Sequence, residues 1–360
     1  MQIVIIHGSN DNYGASKVLL DEVQVLESLG HDVLILVPTE GPLREKISSR
    51  NLQAIIEIDP KLLIIRRSRI RDLLHFPRTR KKFSNFDIVV LWTLATMAYV
   101  PFLKLARIPY YLSVHEILRP GLELKIISRI LLAARTKCEF CSYAAQESLS
   151  NYGDFNSNSV VTYPIFEAKP SNISPNFLSP RTFAVVGRIN GQKGHLEAIR
   201  AFQDSSIRKM DIELLLIGSP FKGQEGYFEQ VLLEASSDSR IRIFGELSQV
   251  DFQSLKITAL LSFPKSPEAF GLVPIEAWLQ GVRTYGYNLG GSKEVLKLVD
   301  GKVIENSGSV VDDILAAIQV HLKESAFERV SLEETLQPLS AGARRASVVK
   351  LLNALETQNK

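Results

Sequence analysis

The sequence predicts an α/β protein built of two Rossmann-like, doubly wound domains facing each other across a cleft. Three observations carry this reading. Short β-branched runs alternate with longer helical patterns from residue 1 to about 166, and the alternation restarts at residue 181. Between them EAKPSNISPNFLSP, residues 167–180, has the Pro, Ser and Asn content of a linker. At 360 residues the chain is longer than one typical domain, and each half is large enough to bury its own core.

In the first half, 1–166, the candidate strands are IVIIHG, DVLILVP, AIIEID, DIVVLWT, YYLSVHE and SVVTYP. Between the first two, Ala15 to Leu29 reads as a helix, because Val18, Leu19, Val23, Leu26 and Leu29 share one face and Gly30 follows as a stop. The second half, 181–340, repeats the scheme with TFAVVGRI, IELLLIGS, RIRIFGEL, ALLSFP and VRTYGYN separated by helices. Ala341 to Glu356 forms a further helical segment within 341–360 that suits either domain. Open α/β sheets bind ligands beyond the carboxyl ends of their strands, so polar residues at those ends are the candidates for function.

Composition narrows the classes. The 42 basic and 39 acidic residues leave a net charge of +3, which argues against nucleic acid as the main partner. Cys138 and Cys141 are the only cysteines, too few for a disulfide framework or a four-ligand zinc site, so they read as buried free thiols in a reducing compartment. The start MQIVIIHGSN lacks a basic segment and reads as a first strand rather than a secretory signal. The uncharged stretch Ile88 to Leu103 contains Thr93, Thr96 and Pro101 and divides into a strand and a helix start, too short to span a bilayer. A soluble, cytoplasmic protein is expected.

Two segments of the second half carry chemistry. In FAVVGRINGQKGH, Gly187 and Arg188 follow a strand, and Lys193 stands five residues after Arg188, just before a helix starting near His195. A planar guanidinium and a mobile ammonium around glycines suit a diphosphate, and such cations lower the barrier when a leaving phosphate gathers charge. In SFPKSPEAFGLVPIEAWLQGV, Glu268 lies in a loop and Glu276, eight positions on, in the first turn of a helix opened by Pro274. Carboxylates there can accept hydrogen bonds from vicinal hydroxyls of ribose or hexose. Solvated surface charges and a helix-dipole carboxylate are the ordinary alternatives.

Gly290 and Gly291 precede a helix whose backbone amides would face the same strand ends. Gly218, and Glu246 with Leu247, follow two further strands and could flank a nucleobase. In the first half Gly14 lies before a helix without the G-x-G-x-x-G spacing of a dinucleotide site. His115 and Glu116 end the strand YYLSVHE. That histidine could donate to a sugar hydroxyl, polarise a reacting centre, or be purely structural.

Together these segments resemble the retaining GT-B glycosyltransferases of family 4, the group 1 glycosyl transferases. GRINGQKG looks like the family's G-R-x4-K-G phosphate motif, EAFGLVPIE like its E-x7-E motif, and GVRTYGYNLGGSKEV like its strand, diglycine and glutamate segment. The opening HGSNDNYGASKVLLDEVQVLESLGHDVLILVP is similar to its amino-terminal strand and helix, so the resemblance spans about residues 1–300. It implies that Arg188 and Lys193 grip a donor diphosphate, Glu276 the ribose and Glu268 the transferred sugar. Gly14 and Gly291 would present backbone amides, and His115 would match the family's active-site histidine. Gly187, Gly218, Glu246, Leu247, Phe270, Gly271, Leu272 and Gly290 complete the implied donor site.

The implied reaction moves a sugar from a nucleotide-sugar donor to an acceptor hydroxyl with the anomeric configuration kept. It needs no cofactor and no metal, and no DxD-type cluster stands at these sites. Trp278 and Arg283-Thr284 depart from the usual small residue and Pro-Val, which would reshape the base or sugar pocket. A GT-B-fold epimerase and a non-catalytic nucleotide-sugar-binding subunit are the alternatives. A phosphorylase would need a pyridoxal phosphate lysine and a longer chain.

Between Lys61 and Lys82 nine basic residues and one acid, Asp72, interleave with apolar residues, a composition suited to an anionic lipid surface. LELKIISRILLAARTK, residues 122–137, is a second basic amphipathic segment, which either touches membrane or packs on the sheet. Relatives that assemble surface polysaccharides often use lipid-linked acceptors, so a peripheral place at the inner membrane face and a saccharide or lipid-linked acceptor are expected.

Overall fold

The computed structural model describes residues 1–65, 82–167, 181–221, 223–247, 250–324 and 331–356. The chain forms two compact units, Met1–Glu167 with Leu336–Lys360, and Ala168–Thr335. The expected linker, apart from Glu167, lies outside the described residues, as do residues 66–81 of the basic run.

The first unit holds β1 (Gln2–His7), β2 (Asp32–Val37), β3 (Ile55–Ile58), β4 (Ile88–Trp92), β5 (Tyr110–Val114), β6 (Lys137–Phe140) and β7 (Ser159–Val161). They pair in the order β3-β2-β1-β4-β5-β6-β7, every pair parallel. Ile5 is registered against both Ile35 and Val90, so the order reverses at β1, the point where doubly wound sheets open a crevice. Ile3, Ile5, Ile35 and Val90 join Val18, Leu19 and Leu26 of the helix Gly14–Ser28 in one core. That helix ends before Gly30, whose φ of 79° suits glycine.

The helix Ala341–Glu356 packs on this unit, adding Val348, Leu351, Leu352 and Leu355 to the same core. Residues 336–340, expected with the second domain, also belong here, because Leu339 is buried and its carbonyl accepts from Phe166 N at 2.9 Å. Several strands are shorter than their sequences suggest, SVVTYP and YYLSVHE among them. SVVTYP leaves the sheet after Val161, close to Pro164, which has no N–H to donate to a ladder. YYLSVHE ends at Val114. The Glu116 carboxylate beyond it accepts the N–H groups of His115 and Leu94, both at 3.1 Å, and so replaces ladder bonds.

The second unit holds β8 (Arg181–Val186), β9 (Ile212–Ile217), β10 (Ile241–Phe244), β11 (Ile257–Ser262), β12 (Arg283–Gly286) and β13 (Lys302–Val303). Their order is β10-β9-β8-β11-β12-β13, again parallel. Phe183 and Val185 of β8 join one core and Ala184 another, the alternation of a strand buried on both faces. The reversal falls between β8 and β11. Among the described residues no helix is long and apolar enough to cross a membrane.

Candidate functional site

In the second unit the loops after β8 and β11 meet at the strand reversal. Gly187 follows β8 at φ 141°, and a Cβ there would lie 3.1 Å from Lys193 Cε, so the lysine stem folds over the bare glycine. Gly194, at φ 79°, then turns the chain into the helix His195–Phe202. Lys265 N donates to Gln192 O at 2.9 Å and Ser266 Oγ to Gln192 Oε1 at 2.8 Å, which fasten the β11 loop to the β8 loop. The consequence is an ion pair between Lys193 Nζ and Glu268 Oε1. Both side chains, with Gly271, Leu272, Ser262 and Pro274, line a cavity of about 50 Å³.

Glu268 is held by its backbone as well. It bridges to Gly290 in parallel, and its carbonyl accepts from Gly291 N at 2.7 Å. A Cβ on Gly290 would lie 2.6 Å from Glu268 O, and one on Gly291 2.3 Å from Ala269 O. The diglycine therefore serves close backbone packing. This corrects the expectation for Gly291: its amide is engaged by the Glu268 loop rather than presented to a ligand, and the helix behind it is the short Ser292–Leu298. Gly271, at φ 101°, sits so that a Cβ would lie 3.3 Å from Glu268 Oε2.

Phe270 is buried and Leu272 caps the helix Val273–Leu279, which has Pro274 and Glu276 in its first turn. Glu276 thus lies at the positive end of that helix. Arg188 stacks its guanidinium 5.2 Å from the Phe221 ring centroid. Gly218 is required by crowding, since a Cβ there would lie 1.9 Å from Gly187 O. Next to it Ser219 donates to Glu246 Oε2 at 3.0 Å, with Leu247 exposed beyond. Trp278 and Thr284 are buried, and Arg283 pairs with Glu324 and Asp300, both at 3.1 Å. Trp278 and Thr284 thus belong to the core and Arg283 to its edge.

In the first unit Gly14 opens its helix after β1, where Trp92 Nε1 donates to Ala15 O at 2.9 Å. Thr93 follows β4 at φ 77°, a strained conformation for a β-branched residue, as found at functional sites. His115 lies just past β5 with its ring 4.6 Å from that of Trp92 and its Nε2 2.9 Å from Ser113 Oγ. Burial, then the charges of Arg344 and His7, lower its pKa to about 3, so the imidazole is neutral at physiological pH.

Behind His115 lies a buried polar network that sequence did not single out. Ser113 Oγ donates to Glu139 Oε2 at 2.7 Å, and Arg344 reaches Glu139 Oε1 at 3.1 Å and Glu22 Oε2 at 2.8 Å. Tyr111 OH donates to Glu22 Oε1 at 2.5 Å. One signal was available: Glu22 interrupts the apolar stripe of its helix, and Glu139 stands between Cys138 and Phe140 in its strand, the mark of a buried carboxylate with a partner.

Comparison with known proteins bears on the family and the fold. The family model described as Glycosyl transferases group 1 matches residues 169–334, and that described as Glycosyltransferase Family 4 matches residues 13–164. No curated protein matched the sequence. Among solved structures, HepE of Anabaena in complex with UDP and glucose is 18% identical with a TM-score of 0.76, covering 98% of this chain and 100% of that one. The lipopolysaccharide outer core galactosyltransferase WaaB in its apo form is 16% identical at a TM-score of 0.69, covering 98% and 99%. Sucrose-phosphate synthase from Thermosynechococcus elongatus is 13% identical at 0.69, covering 99% and 100%. At these identities the likeness establishes the fold, and the two family models together account for nearly the whole chain. The chain belongs to the GT-B glycosyltransferases of the group 1, family 4 type.

Proposed function

We propose that the protein transfers a sugar from a nucleotide-sugar donor to an acceptor hydroxyl with retention of configuration. The observation that carries this is the Lys193–Glu268 pair at the β8–β11 reversal, a cation and a carboxylate beside a glycine-built cradle. Lys193 and Arg188 take the donor diphosphate, Glu276 the ribose diol, Glu268 the hydroxyls of the transferred sugar, and His115 a hydroxyl at the reacting end. As the bond to phosphate breaks, charge grows on the leaving oxygen, and two fixed cations stabilise it without a metal or another cofactor. The leaving phosphate takes the acceptor proton.

A thermal-shift panel of UDP-, GDP- and dTDP-sugars on the wild type and Glu276→Ala tests the donor site. HepE was solved with UDP, which makes uridine the first base to try. One donor class should stabilise the wild type and lose most of its effect on the variant. No shift with any donor, or equal shifts for both proteins, removes Glu276 from the ribose. Binding without release of nucleoside diphosphate would identify a non-catalytic subunit.

The acceptor belongs to polysaccharide or glycolipid assembly at a membrane. The helix Leu122–Ala133 supports this: Leu122 and Ile126 are 73% and 48% exposed beside the exposed cations Lys125 and Arg129, while Leu124, Ile127 and Leu131 pack inward. Sedimentation with anionic and neutral vesicles checks it, and equal, negligible binding to both removes the membrane from the proposal.

A further inference from the structure

Tyr111, Ser113 and His115 are spaced by two along one stretch of chain, and Ser113 is registered directly opposite Glu139 on β6. Ser113 Oγ has one proton and two contacts, Glu139 Oε2 at 2.7 Å and His115 Nε2 at 2.9 Å. An ionised carboxylate can only accept, so the hydroxyl proton goes to Glu139 and the oxygen must accept from the ring. Arg344 holds the other carboxylate oxygen at 3.1 Å, so the ionised Glu139 accepts from both neighbours.

We infer that Glu139, acting through Ser113, is a positioning residue that fixes His115 as the tautomer with its proton on Nε2, leaving Nδ1 as a hydrogen-bond acceptor. This rests on the proposed role of His115 in sugar transfer and sharpens it. The imidazole then accepts a hydrogen bond from a sugar hydroxyl at Nδ1 and does not donate one to it, while the acceptor proton still goes to the leaving phosphate.

An isosteric substitution reverses the relay. In Glu139→Gln the amide oxygen must face the Arg344 donors, which turns the amide nitrogen toward Ser113. Ser113 then accepts from the amide and donates to His115 Nε2, and the ring proton moves to Nδ1. Ser113→Ala removes the relay atom and with it the preference.

The experiment is imidazole ¹⁵N NMR of the full chain, with His115 assigned by comparison with His115→Gln. It is run at about pH 8.5, because burial and the charge of Glu22 raise the Glu139 carboxyl to about 7. The inference expects Nε2–H in the wild type, Nδ1–H in Glu139→Gln and a mixture in Ser113→Ala. It also expects kcat to fall about tenfold or more in Glu139→Gln, with donor KM within about threefold. Nδ1–H in the wild type overturns it even if neither variant folds, and so does an unchanged tautomer in a folded Glu139→Gln. Failure of the transfer reading has a different signature: full turnover in His115→Ala, whichever nitrogen carries the proton.

Discussion

Lys193 and Glu268, seventy-five residues apart in sequence, form an ion pair that joins the loop after β8 to the loop after β11. Its side chains are 31% and 17% exposed, so its contribution to stability is under about 1 kcal/mol. Its value is positional: the cation proposed for the diphosphate and the carboxylate proposed for the sugar are set against each other.

The two partners should therefore separate in function. Lys193→Met should weaken nucleoside diphosphate binding about tenfold or more, through loss of a charge-assisted contact, with little change in Tm. Glu268→Gln frees the lysine, so it should keep or tighten that binding while transfer falls by about a hundredfold. Calorimetric titration with UDP and GDP decides, and equal weakening in both variants would refute this division of roles.

Gly291→Ala should destabilise the second unit by about 2 kcal/mol or more, because the new methyl would sit 2.3 Å from a backbone carbonyl that cannot rotate away. Urea unfolding monitored by tryptophan fluorescence measures it, Trp278 being buried in that unit. A midpoint close to that of the wild type would show that the Glu268 loop yields freely.

Arg344→Met strips the cation from two buried carboxylates, Glu22 and Glu139, and should cost about 3–5 kcal/mol. Adding Glu22→Gln and Glu139→Gln should recover a large part of the loss, since amides tolerate burial without a counter-charge. If the triple variant is no more stable than the single one, packing and not charge is what Arg344 supplies.

Acid should weaken the fold well above the carboxylate range. Burial lowers His7 and His195 to about 4 and His321 to about 3, against 6.5 for an unperturbed histidine. The unfolded chain binds these protons near pH 6.5 and the folded chain does not, so stability is full above 6.5 and drains as pH falls toward 4. Each site contributes about 2 kcal/mol of loss between pH 7 and pH 5. A Tm that is flat across this window would mean the rings are protonated in the native state.

Cys138 and Cys141 are both buried, and burial raises the Cys138 thiol to about 12. Neither should react with an aromatic disulfide reagent at neutral pH until the protein unfolds, when both should titrate. Rapid labelling of the native protein would contradict their burial.

The alternation of β-branched runs with amphipathic helices was enough to place both sheets, because strands buried on two faces and helices buried on one have different periods. The glycines of GRINGQKG and the diglycine at 290–291 were also legible, although their reason was not. Spacing suggested open amides for a ligand, whereas Gly291 N is engaged by Glu268 O. A close backbone approach depends on a segment distant in sequence, and no local pattern reports it.

By itself the sequence determined the two α/β units and the residue types offered at their strand ends. Its local periods and glycine positions constrain only neighbours along the chain. Tertiary structure alone decided that Lys193 meets Glu268, that the helix Ala341–Glu356 packs on the first unit, and that Arg344 reaches Glu22 and Glu139 behind Ser113 and His115. Apolar faces and buried charges find partners wherever the packing of distant segments places them, and although a carboxylate in an apolar stripe marks itself in the chain, nothing local names the residue it meets.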